Sequence, residues 1–234
     1  MERKLAWDKY DEKSLKDMHE LAEGYKAFLD AGRTERECVT EAVRQAKAKG
    51  YTDLNEAIKA GKKIKAGDKV YAICMNKAVA LFNIGTKPLS EGMTILGAHV
   101  DSPRLDLKQN PLYEDNGFAL LDTHYYGGVK KYQWVTLPLA IHGVISKKDG
   151  TNVEVVIGED ENDPVFCITD LLIHLSAKQL EKKGAVVIEG EALDVLFASM
   201  PLAEDKSESE DEKKAIKDKV AAHAMKLLTD KYGV

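Results

Sequence analysis

Met93-Thr94-Ile95-Leu96-Gly97-Ala98 is a continuous apolar run that opens directly into His99-Val100-Asp101-Ser102-Pro103. A short uncharged run of this kind predicts a β-strand covered on both faces, as in an α/β sheet. Such sheets place ligands beyond the carboxyl ends of their strands. His99 and Asp101 are two positions apart, so in an extended segment both side chains project to one side. The pair suits a metal-ligating imidazole whose other ring nitrogen is held by a carboxylate, or a carboxylate that steadies a second ligand. It also suits a histidine that only hydrogen-bonds locally at a strand-to-loop junction.

The flanking sequence supports an α/β class. Between Asp11 and Asp30, Leu15, Met18, Leu21, Ala22, Tyr25, Phe28 and Leu29 recur at helical spacing. They predict an amphipathic helix with one buried stripe, ended near Gly32. Thr34-Glu35-Arg36-Glu37 reads as a capping box opening a second helix that stops at Gly50. Val70–Met75 and Ala78–Ile84 read as a hairpin turning at Asn76-Lys77. Beyond Pro103 the texture becomes strand-led. Strands are expected over Phe118–Tyr126, Trp134–Ser146, Asn152–Gly158 and Ala185–Glu189, with helices about 170–183 and 211–231. The acidic stretch Ala203–Glu212 reads as a solvated loop.

Composition narrows the function classes. The 234 residues carry 34 Lys+Arg and 39 Asp+Glu, a net charge of −5, which disfavours phosphate-neutralising nucleic-acid binding. With 44 % apolar and 31 % charged residues, the chain is too apolar for wholesale disorder and too charged for an integral membrane protein. Cys38, Cys74 and Cys167 are too far apart for a metal knuckle and read as reduced, buried thiols. No apolar segment follows the first basic residues, so a cytoplasmic protein is expected. Asp122 and His124 alternate on one strand face and fit either a polar surface or a second metal site. His142 reads as a structural histidine, and His19 and His223 as helix residues without a functional role.

Gly97-Ala98-His99-Val100-Asp101-Ser102-Pro103 with Leu105-Asp106-Leu107-Lys108 resembles the first metal-ligand motif of the aspartyl aminopeptidase/aminopeptidase I family of zinc metallopeptidases. Further similar segments follow in order: Tyr126-Gly127-Gly128 with Trp134, then Pro138 to Val144, then Ile168 to Leu175 containing Leu171 and His174. The resemblance implies a partial α/β catalytic domain over 1–107. An inserted β-rich α+β dimerisation domain would follow over 108–234. It implies two zinc ions, peptide substrates losing their N-terminal residues, and a homo-oligomer formed through the inserted domain, with no nucleic acid or membrane partner. His99 would ligate one metal and Asp101 would support that ligand shell. His174 would reach the active site of a neighbouring subunit, or else simply pack beside Leu171 and Leu175.

The chain also departs from the family. Members are commonly about twice as long. The bridging aspartate, the Glu-Glu pair with the general base, a further carboxylate and a final histidine come from their second half. Val129-Lys130-Lys131-Tyr132-Gln133-Trp134 replaces the eukaryotic-type segment and is closer to a bacterial subgroup, so an acidic-substrate preference does not carry over. The resemblance therefore implies the amino-terminal half of an aminopeptidase, inactive by itself. The alternative is a catalytically silent assembly protein that keeps only the pairing surface.

Overall fold

Local capping decides where the first two helices begin. Asp11 accepts the Ser14 N–H at 2.8 Å and opens α1, Glu12–Ala31. Thr34 and Glu37 form the reciprocal capping box that opens α2, Glu35–Ala48. The structure, a computed structural model, describes residues 3–201 and 218–233. These form two compact units that meet in sequence between Ser102 and Pro103.

In the first unit β1 (Thr52–Asp53) runs parallel to β2 (Lys69–Cys74), which pairs antiparallel with β3 (Ala78–Asn83). A short helix α3, Leu54–Lys59, follows β1 directly and is capped by Asp53. Val39 and Val43 of α2 pack on Tyr71, with Tyr51 and Val79 at the margin. The hairpin turns at Met75 and Asn76, whose φ values of 50° and 53° are left-handed. Lys77 N–H closes the turn on Cys74 O at 2.9 Å, so the pivot lies one residue earlier than the sequence suggests. Cys74 is exposed rather than buried.

Two expectations for this unit fail. None of the α1 residues is buried, so its apolar stripe lies on the surface. Residues 93–98 form no strand, and Ile95 and Leu96 are 78 % and 95 % exposed. A strand covered on both faces needs paired edges and a layer above and below. None of the described strands pairs with this run, so its hydrophobicity has nothing to bury against.

The second unit is β-rich. β4 (Arg104–Asp115), β5 (Phe118–Tyr126) and β8 (Val195–Ala198) form one antiparallel sheet, and β6 (Ile141–Ser146) with β7 (Asn152–Ile157) another. On β5, Ala119, Leu121 and Thr123 point into the core while Phe118, His124 and Tyr126 face out, the period of two expected of a half-buried strand. The core joins these residues to Val155 and Ile157 of β7, Val195 and Phe197 of β8, Phe166, Ile168 and Leu193, and Val220 and Ala224 of the last helix, α5. Isolated bridges Leu139↔Phe166 and Cys167↔Leu196 tie the segment 166–168 to its neighbours.

Where long-range order decides, the elements differ from expectation. The strand from Trp134 shortens to Ile141–Ser146, because Thr136 has a left-handed φ of 63° and Pro138 has no N–H to pair. Residues 185–189 turn instead of pairing: β5 already holds β4 on one side and Val195–Ala198 on the other. The helix expected over 170–183 reduces to a 3-10 turn, Ile173–Leu175, and a single α turn, α4, Ala177–Leu180. There the Ser176 hydroxyl donates to Ile173 O at 3.0 Å and competes with helical bonding. α5 is described over Lys219–Tyr232, and the acidic 203–212 stretch lies outside the described residues.

The α5 N-terminus is capped across the fold. Asp218 offers no side-chain cap, and Glu114 of β4 accepts the N–H groups of Val220 and Ala221 at 2.8 and 3.0 Å. A carboxylate there meets both the orphan donors and the positive end of the helix. Glu114→Ala leaves two partly buried donors unmet and is expected to cost about 1–3 kcal/mol. Glu114→Gln keeps an acceptor and should cost less. Equal urea midpoints for Glu114→Ala and the parent chain would exclude this cap.

Candidate metal centre

His99 and Asp101 close the first unit, in a segment without regular structure. The His99 ring bends back on its own chain, with Nδ1 2.9 Å from the main-chain oxygen of Asp101 and 3.3 Å from its carboxylate Oδ1. A carbonyl oxygen only accepts, so Nδ1 carries the proton and donates. That tautomer leaves the Nε2 lone pair available, as a metal ligand requires. The side chain is 84 % exposed, and Nε2 makes no hydrogen bond among the described residues. The expected same-side arrangement is present, but the tighter tether is the Asp101 carbonyl, with the carboxylate second.

One zinc position fits this imidazole. A catalytic zinc ordinarily takes about three protein ligands, and among the described residues no group of three or more His, Cys, Asp or Glu could hold a metal ion. His99 and Asp101 thus supply one ligand and its tether, not a complete site. His174 belongs to the second unit, in the 3-10 turn Ile173–Leu175. It is exposed, and so are Leu171, Leu172, Ile173 and Leu175 beside it, so it is not packed among them.

The segments after the His99 motif form a polar network on the outer face of the second unit's larger sheet. Arg104 Nε donates to Asp106 at 2.7 Å, and its guanidinium lies 4.3 Å from the Tyr126 ring centre. Gly127 follows with φ 77°, and a Cβ there would sit 3.4 Å from Pro103 Cα, so glycine meets both the conformation and the close approach. Lys108 bridges Glu191 at 2.7 Å and Asp122 at 2.9 Å, and these two carboxylates raise its pKa above the usual lysine range. Asp122 is thereby engaged by an ammonium. His124 stacks on Tyr125, with ring centres 5.3 Å apart. Tyr113 donates to Asp194 Oδ2 at 2.6 Å, and burial first, then that carboxylate, push its phenol pKa up. His142 is held by Glu159 at 3.0 Å and is structural in its surroundings.

The sequence contained each partner of the Lys108 network without showing that they meet. The β4–β5 register shifts between Leu107 and Leu112, and strand spacing alone cannot locate that bulge. Glu191 joins from 83 residues away.

No described helix is long and apolar enough to cross a membrane. Comparison with known proteins gives a consistent picture. The aminopeptidase I zinc metalloprotease (M18) family matches residues 28–234. The probable M18 family aminopeptidase 1 of Clostridium acetobutylicum is 54 % identical over 233 residues, covering 100 % of this chain and 48 % of its own length. The crystal structure of the M18 aminopeptidase from Thermotoga maritima superposes with a TM-score of 0.86 at 36 % identity, covering 100 % of this chain and 48 % of that one. The mApe1 dodecamer of S. cerevisiae shares the fold at a TM-score of 0.60 and 19 % identity, over 93 % of this chain and 45 % of that one. The chain spans about half the length of the curated relatives it matches. It belongs to the aminopeptidase I zinc metalloprotease (M18) family.

Proposed function

We propose that this chain is the amino-terminal half of a cytoplasmic dinuclear-zinc aminopeptidase that removes N-terminal residues from peptides. The observation that carries the reading is the His99 ring, tethered at Nδ1 by Asp101 with Nε2 left open, at the motif that resembles the family's first ligand. Zinc, when bound, supplies Lewis-acid activation of water and of the scissile carbonyl. The contribution of this chain is orientation: Asp101 fixes the tautomer of His99 and limits its rotation, which keeps one donor ready. The remaining donors and the general base belong to the second half of the enzyme. Residues 1–107 are read as catalytic-domain sequence and 108–234 as an inserted pairing domain. In that pairing domain His174, on an exposed apolar turn, serves a neighbouring subunit's site in a homo-oligomer. The free state of all three cysteines suits a reducing compartment.

The test is peptidase activity and zinc content of the chain alone and after mixing with a separately produced second half of the Clostridium acetobutylicum relative. The chain alone should be inactive and retain substoichiometric zinc, while the mixture should gain aminopeptidase activity and about two zinc ions. A mixture that forms a complex yet neither binds zinc nor cleaves peptides would support the silent assembly reading, which the lack of a three-donor group among the described residues favours.

Exposure of 93–98 has its own consequence. An uncovered apolar run drives association, so the isolated chain should self-associate, and Leu96→Lys should reduce this by light scattering. Because Leu96 is already in water, the melting temperature should not change. A monomeric parent chain would contradict the expectation.

A further inference from the structure

α1 is amphipathic yet buries nothing. With Leu15 at heptad position a, its large apolar residues Leu15, Met18, Leu21, Tyr25, Phe28 and Leu29 fall on positions a, d and g. Leu21 and Tyr25 are 76 % and 61 % exposed. The opposite side carries Lys16–Glu20 and Glu23–Lys26 ion pairs and is at home in water. A seam between two helices is narrow and uses a and d alone, whereas an a/d/g stripe fits the broad surface of a globular partner. The width of the stripe therefore favours a folded surface over the α1 of a second copy.

The comparisons indicate which surface. The family match begins at residue 28, so most of α1 precedes the part shared family-wide, yet the bacterial relatives align along this whole chain, α1 included. Each of them has about as much length again outside the aligned part. We propose that the apolar stripe of α1 is a docking seat for the second half of the enzyme, joining the two halves away from the metal centre. The proposal rests on the reading of the chain as half of an aminopeptidase.

The test measures binding of the separately produced second half of the Clostridium acetobutylicum relative to this chain by analytical ultracentrifugation and titration calorimetry. The wild-type chain should form a one-to-one complex. The double variant Leu21→Glu/Tyr25→Glu should bind at least about 100-fold more weakly, as expected when two large apolar side chains lose their burial. Lys13→Glu, on the polar side, should bind like wild type. Leu21→Gln/Tyr25→Gln keeps helix-forming residues without added charge and should also weaken binding, and circular dichroism should show the parent fold in every variant. Equal binding by wild type and both double variants overturns the seat and leaves the aminopeptidase reading intact. No binding by the wild type overturns both. Loss of chain–chain association in the variants, with binding of the second half preserved, assigns the stripe to a second copy and overturns the proposal.

Discussion

Replacing His99 by alanine is expected to abolish the peptidase activity of the reconstituted enzyme, by about 10³-fold or more, and to lower its zinc content by one ion. The imidazole is the one donor this chain offers at the site, and its loss removes a ligand rather than weakening one. Asp101→Asn should behave differently. The Nδ1–H bond at 2.9 Å ends on the Asp101 main-chain oxygen, which the substitution leaves in place. Only the carboxylate at 3.3 Å changes, so the ring keeps its tautomer and loses a nearby negative charge. The expected loss in zinc affinity is about 10–100-fold, the usual range for an outer-sphere partner. Zinc titration with a competing chelator separates the two variants without depending on turnover. If Asp101→Asn matches His99→Ala, the carboxylate is itself a ligand. If His99→Ala retains both zinc ions, His99 is not a metal ligand.

The His99–Asp101 pair was legible because its geometry is local: two residues, one hydrogen bond, no distant partner. The same holds for the Thr34–Glu37 capping box, which requires only four consecutive residues, and for the alternation of Asn152–Ile157. The apolar run 93–98 carried the strand signal correctly as chemistry, but burial belongs to its neighbours rather than to the run itself. α1 failed for the same reason. A hydrophobic stripe predicts that something covers it without saying what, or whether it lies within these residues. Residues 185–189 and Val195–Ala198 were both plausible strands, and the choice was made by which one could reach the free edge of β5. The Lys108–Asp122–Glu191 group depends on a bulge and an 83-residue closure, neither of which leaves a local trace.

Phe166→Ala should produce the largest loss of stability in the second unit, about 3–5 kcal/mol. Phe166 is 1 % exposed and stacks on Phe197 with ring centres 5.1 Å apart. It sits among side chains from both sheets and α5, so the cavity left behind is lined by elements that cannot all move into it. The main-chain bond from Leu139 N–H to Phe166 O, 2.8 Å, survives the substitution. The effect therefore reports packing alone. A domain typically has about 5–15 kcal/mol in hand, so this single change should leave the unit marginal, with a urea midpoint lowered by about 1–3 M. Phe166→Leu refills most of the volume and should cost about 1–2 kcal/mol. Trp134 packs against this core and makes a suitable fluorescence probe, because the other tryptophan, Trp7, is exposed in the first unit. If alanine and leucine shift the Trp134 transition equally, the ring is not filling a rigid site, and the unit's stability resides mainly in its strand pairing.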